Sequence, residues 1–248
     1  MIAGLFPRLL GPAVLAASAL SATAPWAAEP RASASPCPDV QVLFARGTDE
    51  APGLGHTGQA FVDSLRPRLA GQSMQVYPIN YPASHQWATG IDGIRDASNR
   101  IESTAANCPH TKMVLSGYSQ GAAVMGFVTS AAVPDGVDPA TVPHPLAPDV
   151  ADRVAAVVLF GTPNTRAMSF LGQPQIVIGP AFMPKTIKVC APEDPVCGDG
   201  MNFAAHDGYN AAVVNQGADF AASRVNGAPL PPPLPPGVLP PPPVNFGS

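Results

Sequence analysis

Short apolar runs alternate along this chain with longer segments whose apolar residues recur at helical spacing. The runs are Gln41 to Ala45, Met74 to Ile79, Met113 to Leu115, Val154 to Phe160 and Thr186 to Val189. Their length and near-continuous apolar character predict strands covered on both faces. Phe61, Val62, Leu65 and Leu69 fall on one helical face, although Pro67 makes the last turn doubtful. Trp87 to Ala106 carries Ile91, Ile94, Ala97 and Ile101 at helical spacing, and Tyr209 to Val225 carries Ala212, Val213, Gln216 and Phe220. Ala122 to Val128 is apolar all round, as in a helix laid against a sheet. Alternation of this kind predicts an α/β fold, a doubly wound, mainly parallel five-stranded sheet with helices on both faces. Pro134 to Pro148 reads as a loop and Thr165 to Ala181 as a loop with room for short elements, both too short to form a lid domain.

The third run does not end in ordinary turn residues. It passes through Gly117-Tyr118-Ser119-Gln120-Gly121 and continues directly into the apolar helix. A Gly-x-Ser-x-Gly between a strand and a helix is a nucleophile elbow. Its glycines are needed because the turn leaves no room for side chains beside the serine. The helix N-terminus beneath the serine favours developing negative charge.

Composition narrows what such a site serves. Charged residues are 12% of the chain, the formal net charge is −4, and no Lys/Arg cluster is present, which argues against nucleic acid as a partner. Arg8, the apolar stretch Leu9 to Leu20 and the small residues through Ala28 predict a signal peptide over residues 1–28, hence an exported or envelope-associated protein. Residues 29–36 read as an extension and 37–227 as the domain. Residues 228–248 read as a Pro-rich tail, expected to be extended and disordered: a spacer, or a ligand for a proline-recognising partner or the cell envelope. In an exported chain four cysteines predict two disulfides, with three possible pairings. Cys190 and Cys197 enclose two prolines, which favours closure of that loop on itself and leaves Cys37 for Cys108. No Cys-x-x-Cys spacing supports zinc, so neither a metal nor any other cofactor is expected; a monomer is.

A serine nucleophile needs a base to take its proton and an acid to orient that base. In folds with this elbow the chain order is Ser, acid, His. His56, His85 and His110 precede the serine, and His144 lies in a proline loop before the fourth strand. His206, after the last strand, is the candidate base. Glu193, Asp194 and Asp199 all qualify by position as the acid, and Asp207 reads as the N-cap of the last helix. Oxyanion donors are expected at the Gln120 amide and, after the first strand, at Gly47-Thr48. Asn80 is a candidate brace for that loop.

FARGT after the first strand, GYSQGAAV at the elbow, VVLFG on the fourth strand and Cys190-APEDPV-Cys197 followed by His206 together carry a resemblance. Over residues 37 to 225 the chain resembles the cutinase family of serine esterases, most of all its mycobacterial-type members. The resemblance implies a lidless α/β-hydrolase with Ser119 as nucleophile, Asp194 as orienting acid and His206 as base. It implies Thr48, where fungal members commonly carry serine, and Gln120 in the oxyanion hole, and disulfides Cys37–Cys108 and Cys190–Cys197. The expected activity is hydrolysis of fatty acyl esters or lipids. Deacetylation of a polysaccharide such as acetylxylan, and a non-catalytic role in binding the envelope, are the alternatives.

Overall fold

The computed structural model describes residues 37–230. The signal peptide and extension, residues 1–36, and the tail residues 231–248 lie outside the described residues. Five strands form the sheet: β1 (Val40–Ala45), β2 (Met74–Pro78), β3 (Lys112–Tyr118), β4 (Val154–Phe160) and β5 (Thr186–Val189). All pairings are parallel, in the order β2-β1-β3-β4-β5. This is the expected α/β-hydrolase type of sheet, and alternate side chains of each strand feed separate cores on its two faces. In β4, Val158 and Phe160 join Phe44, Phe61 and Leu65 on one face, whereas Val157 and Leu159 join Leu43, Leu115 and Met125 on the other.

The first core is covered by α1 (Gly55–Leu65) and α7 (Ala211–Val225), the second by α2 (Gly90–Asn107) and α3 (Gln120–Val128). Short helices α4 (Pro148–Ala151), α5 (Thr165–Phe170) and α6 (Phe203–Asp207) sit in the connections. The order reverses between β1 and β3, the switch point at which open parallel sheets place their ligands. Residues that follow β1 and β3 therefore meet in one crevice.

Local differences from the sequence reading have physical causes. Pro67 has no amide to donate, so α1 stops at Leu65 and a 3₁₀ turn, Arg66–Leu69, carries Leu69 into the core. Asp207 does not cap the last helix. It ends α6, and Asn210 caps α7 by accepting from the Ala212 and Val213 amides. Thr165–Phe170, in a stretch that reads as loop with room for short elements, is helical because the Asn164 side chain caps it through the Ala167 amide.

Candidate active site

The elbow is built by steric exclusion. Ser119 sits between β3 and α3 at φ 53°, ψ −117°, outside the conformations open to most residues. A Cβ on Gly117 would lie 2.4 Å from the Gly121 carbonyl oxygen, and one on Gly121 would lie 2.0 Å from that of Ala45. Neither position accepts any side chain. The Ser119 amide donates to the Phe160 carbonyl at 2.9 Å, tying the strained turn to β4.

His206 lies in α6, beyond β5, and its Nε2 is 2.8 Å from Ser119 Oγ. Its Nδ1 is 2.8 Å from Asp194 Oδ2, and the Asp194 side chain is fully buried. A carboxylate only accepts, so Nδ1 carries the ring proton and Nε2 is left to accept from the serine hydroxyl. Burial alone would raise the Asp194 pKa. The His206 hydrogen bond and charge outweigh it, helped by the Val196 amide and the Tyr209 hydroxyl, and hold the carboxyl below its ordinary value.

Two tyrosines complete this arrangement, and the sequence reading did not single out either. Tyr118 stacks on the His206 ring with centroids 5.2 Å apart and donates its hydroxyl to the His206 carbonyl at 2.6 Å. Tyr209, almost wholly buried, donates to Asp194 Oδ2 at 2.9 Å and accepts from the Ala191 amide. Burial pushes both phenols well above the usual tyrosine range, followed for Tyr209 by the Asp194 charge, so both stay protonated donors. The signals were their places, beside the serine and three residues after the histidine. Tyr209→Phe removes a bond to a charged acceptor, and we expect a loss of about 1.5–3 kcal/mol in urea unfolding together with roughly tenfold lower turnover. Unchanged values of both would show that the hydroxyl orients nothing.

The loop after β1 is fixed by Arg46 and Glu50. Buried Arg46 donates to the carbonyls of Glu50, Tyr81 and Pro82, and the Glu50 carboxylate accepts from the Gly47 and His56 amides. The side chain of Asn80, the expected brace, is not part of this network. Asn80 is exposed and its backbone amide donates to Asp96. Thr48 and Ser119 line one cleft of about 250 Å³ with Glu50, His56, Thr57, Tyr118, His206 and Asp207. Gln120 opens α3, so its amide has no intrahelical partner.

Other candidates fall elsewhere. Exposed His85 pairs with exposed Asp49 at 2.6 Å, His110 is exposed beside β3, and His144 lines a different cavity. Glu193 lies inside the Cys190–Cys197 loop beside Asp194 and Asp199 just beyond it, and among the described residues neither side chain hydrogen-bonds to His206.

Both cysteine pairs are bridged, Cys37 to Cys108 and Cys190 to Cys197. Cys197 Sγ touches Asp194 Oδ2 at 3.1 Å, a contact without a proton because disulfide sulfur carries none. The sulfurs of Cys190 and Cys197 also stand near the carboxylate as a cluster of metal-donor atoms, but, bonded to each other, they are not thiolate ligands. The bridges divide two tasks. By loop-closure entropy the eight-residue hoop contributes about 2.5 kcal/mol and the long Cys37–Cys108 loop about 4.4 kcal/mol. We therefore expect Cys190→Ala/Cys197→Ala to lose activity while remaining folded, and Cys37→Ala/Cys108→Ala to lose more stability than activity. Circular dichroism melts paired with ester assays separate the two. Parallel loss of both signals in the hoop variant would make that bridge purely structural.

Comparison with known proteins agrees with this architecture. A model of the cutinase family matches residues 36–225. A probable carboxylesterase, Culp5 of Mycobacterium tuberculosis, is 53% identical over 172 residues, covering 69% of this chain and 98% of that protein. Carboxylesterase Culp1 of Mycobacterium bovis is 44% identical over 225 residues, covering 89% and 96%. Among solved structures, the Trichoderma reesei cutinase in complex with a phosphonate inhibitor superposes with a TM-score of 0.56 at 34% identity, covering 77% of this chain and 78% of that one. Matched over most of its length by that family's model, and carrying an elbow serine within hydrogen-bonding distance of a histidine that follows the last strand, the chain belongs to the cutinase family.

Proposed function

We propose that this chain is an exported esterase that cleaves fatty acyl esters through an acyl-enzyme on Ser119. The observation that carries the reading is the unbroken line of hydrogen bonds from Ser119 Oγ through His206 to buried Asp194. Ser119 Oγ attacks the ester carbonyl while its proton passes to His206 Nε2. Negative charge moves onto the carbonyl oxygen, where the Thr48 and Gln120 amides receive it. The tetrahedral intermediate collapses, and His206 returns the proton to the departing alkoxide, releasing an alcohol. Water, activated by His206 in the same way, then cleaves the acyl-serine and releases the acid. Asp194 holds the imidazole in the required tautomer and stabilises its charge at each stage.

The acyl class is supported by the apolar side chains Met201 and Phe203, both highly exposed on the segment that leads into His206. Export is supported by the two bridges, which persist in oxidising compartments, and by the apolar stretch after Arg8. The Pro-rich tail suits an extended spacer that places the domain at the envelope.

Among the described residues no inserted lid domain covers Ser119, which is half-buried in its cleft. Short and medium esters in true solution are therefore expected to be cleaved. Each acyl methylene that fits adds about 0.8 kcal/mol of binding. No jump in rate is expected as a butyrate ester passes its solubility limit. A sharp rise at saturation would reveal a mobile cover. Cleavage confined to acetyl esters would move the substrate to acetylated polysaccharide, and absence of phosphonate labelling at Ser119 would leave only a binding role.

A further inference from the structure

The two oxyanion donors proposed above, the amides of Thr48 and Gln120, stand on separate elements. The close approach of Gly121 to the Ala45 carbonyl fixes only the root of the loop after β1. Further along, Arg46 Nε donates to the Glu50 carbonyl, and the Glu50 carboxylate accepts from the Gly47 and His56 amides. Those bonds shape the loop and tie it to α1, not to the elbow. Among the described residues no hydrogen bond joins residues 47–50 to residues 119–121.

The two sides meet instead on the connection between β2 and α2. Four successive carbonyls there accept from one side or the other. Arg46 Nη2 donates to Tyr81 at 2.6 Å and to Pro82 at 3.2 Å. The Asp49 amide, next to Thr48, donates to Ala83 at 2.7 Å. Gln120 Nε2 donates to Ser84 at 2.8 Å. Ala83, between the last two, stands at φ 52° although it is not glycine, and it is 1% exposed. Such a conformation persists only where its surroundings over-determine it. The Gln120 side chain is also 1% exposed, so its bond to Ser84 is made out of reach of competing water. His85 and Asp49 add an ion pair on the outside, but both are exposed and the pair holds little.

We propose that the Gln120 side chain is a positioning residue for the oxyanion hole. Through the Ser84 and Ala83 carbonyls it sets the distance between its own amide and that of Thr48. The inference rests on the catalytic reading above. Both amides serve the reaction only when each lies about 2.7–3.1 Å from the oxygen that becomes charged. A misplacement of about 1 Å costs on the order of a hundredfold in rate. That charge develops only after Ser119 attacks, so a displaced donor weakens the transition state and leaves substrate binding nearly as it was.

Gln120→Met tests the side chain alone. It keeps the main-chain amide and nearly the same length, but has no N–H for the Ser84 carbonyl. On a soluble butyrate ester, kcat is expected to fall about 10- to 100-fold with KM within about twofold of the parent. Butylboronic acid gives a readout that a change in stability alone does not move. Its boron forms a bond to Ser119 Oγ, the serine proton passes to His206 Nε2, and the anionic tetrahedral adduct places an oxygen between the two amides. Its Kd, measured well below the melting temperature, should rise by the same factor as kcat falls. Gln120→Leu repeats both measurements should the methionine variant unfold. In a folded variant, kcat within about threefold of the parent, a KM that rises as far as kcat falls, or an unchanged boronate Kd would each overturn the inference. A parent protein that neither cleaves the ester nor binds the boronate would overturn the catalytic reading itself, and this inference with it.

Discussion

Ser119→Ala is expected to lower ester turnover by on the order of 10⁶ while the protein stays folded. The size follows from the absence of a substitute. Among the described residues no other hydroxyl or thiol hydrogen-bonds to His206 Nε2, and both cysteine pairs are oxidised. What remains is catalysis by the oxyanion donors and by binding alone, a residual of about 10³–10⁴ over water. The fold survives because the structural role of Ser119 belongs to its backbone. Its amide holds Phe160 and its carbonyl accepts from Ala123, whereas Oγ has His206 as its partner. Alanine enters the same positive-φ conformation without a new clash, since its Cβ is already present in serine. Steady-state assays of the purified variant, with its thermal melt as control, measure both halves. Turnover within a hundredfold of the parent would mean that another group attacks the ester.

The strands were legible because burial on both faces makes them apolar without interruption. Val154 to Phe160 and Thr186 to Val189 have the same limits in sequence and structure. The elbow was legible for a different reason. Only glycine satisfies the close approaches at 117 and 121, so steric need is written directly as residue type. Capping was read less well, because Asp207 and Asn210 are equivalent caps by composition, and the backbone turn at Gly208 decides between them. Least legible were the supports of the site. Arg46 looks like a surface cation, yet it is buried against three carbonyls that come together only in the fold. Tyr209 reads only as the start of the last helical segment, and its role depends on a carboxylate fifteen residues earlier. Such contacts join loops whose relative positions no local pattern encodes.

Asp194→Asn should reduce turnover by about 10⁴ while leaving the geometry almost unchanged. The carboxylate now accepts three bonds, from the Val196 amide at Oδ1 and from His206 Nδ1 and the Tyr209 hydroxyl at Oδ2. The asparagine amide keeps one acceptor oxygen, which the Val196 amide holds in place at Oδ1. Its NH₂ then faces Nδ1 and donates, so the imidazole takes the other tautomer. Nε2 carries the proton and no longer accepts from Ser119. The serine is present but has lost its base. Acid stability provides an independent check. The Asp194 pKa is lowered in the folded protein from the model-peptide value of 3.8. Its stabilising contribution is therefore complete above that value and is lost as pH falls through the folded one. Asparagine does not titrate, so the variant is less stable than the parent at neutral pH, and its stability declines less steeply in acid. Urea unfolding at neutral and acidic pH, set beside single-turnover rates, measures both effects. Near-parental turnover, or an acid decline as steep as that of the parent, would move the orienting role to another carboxylate.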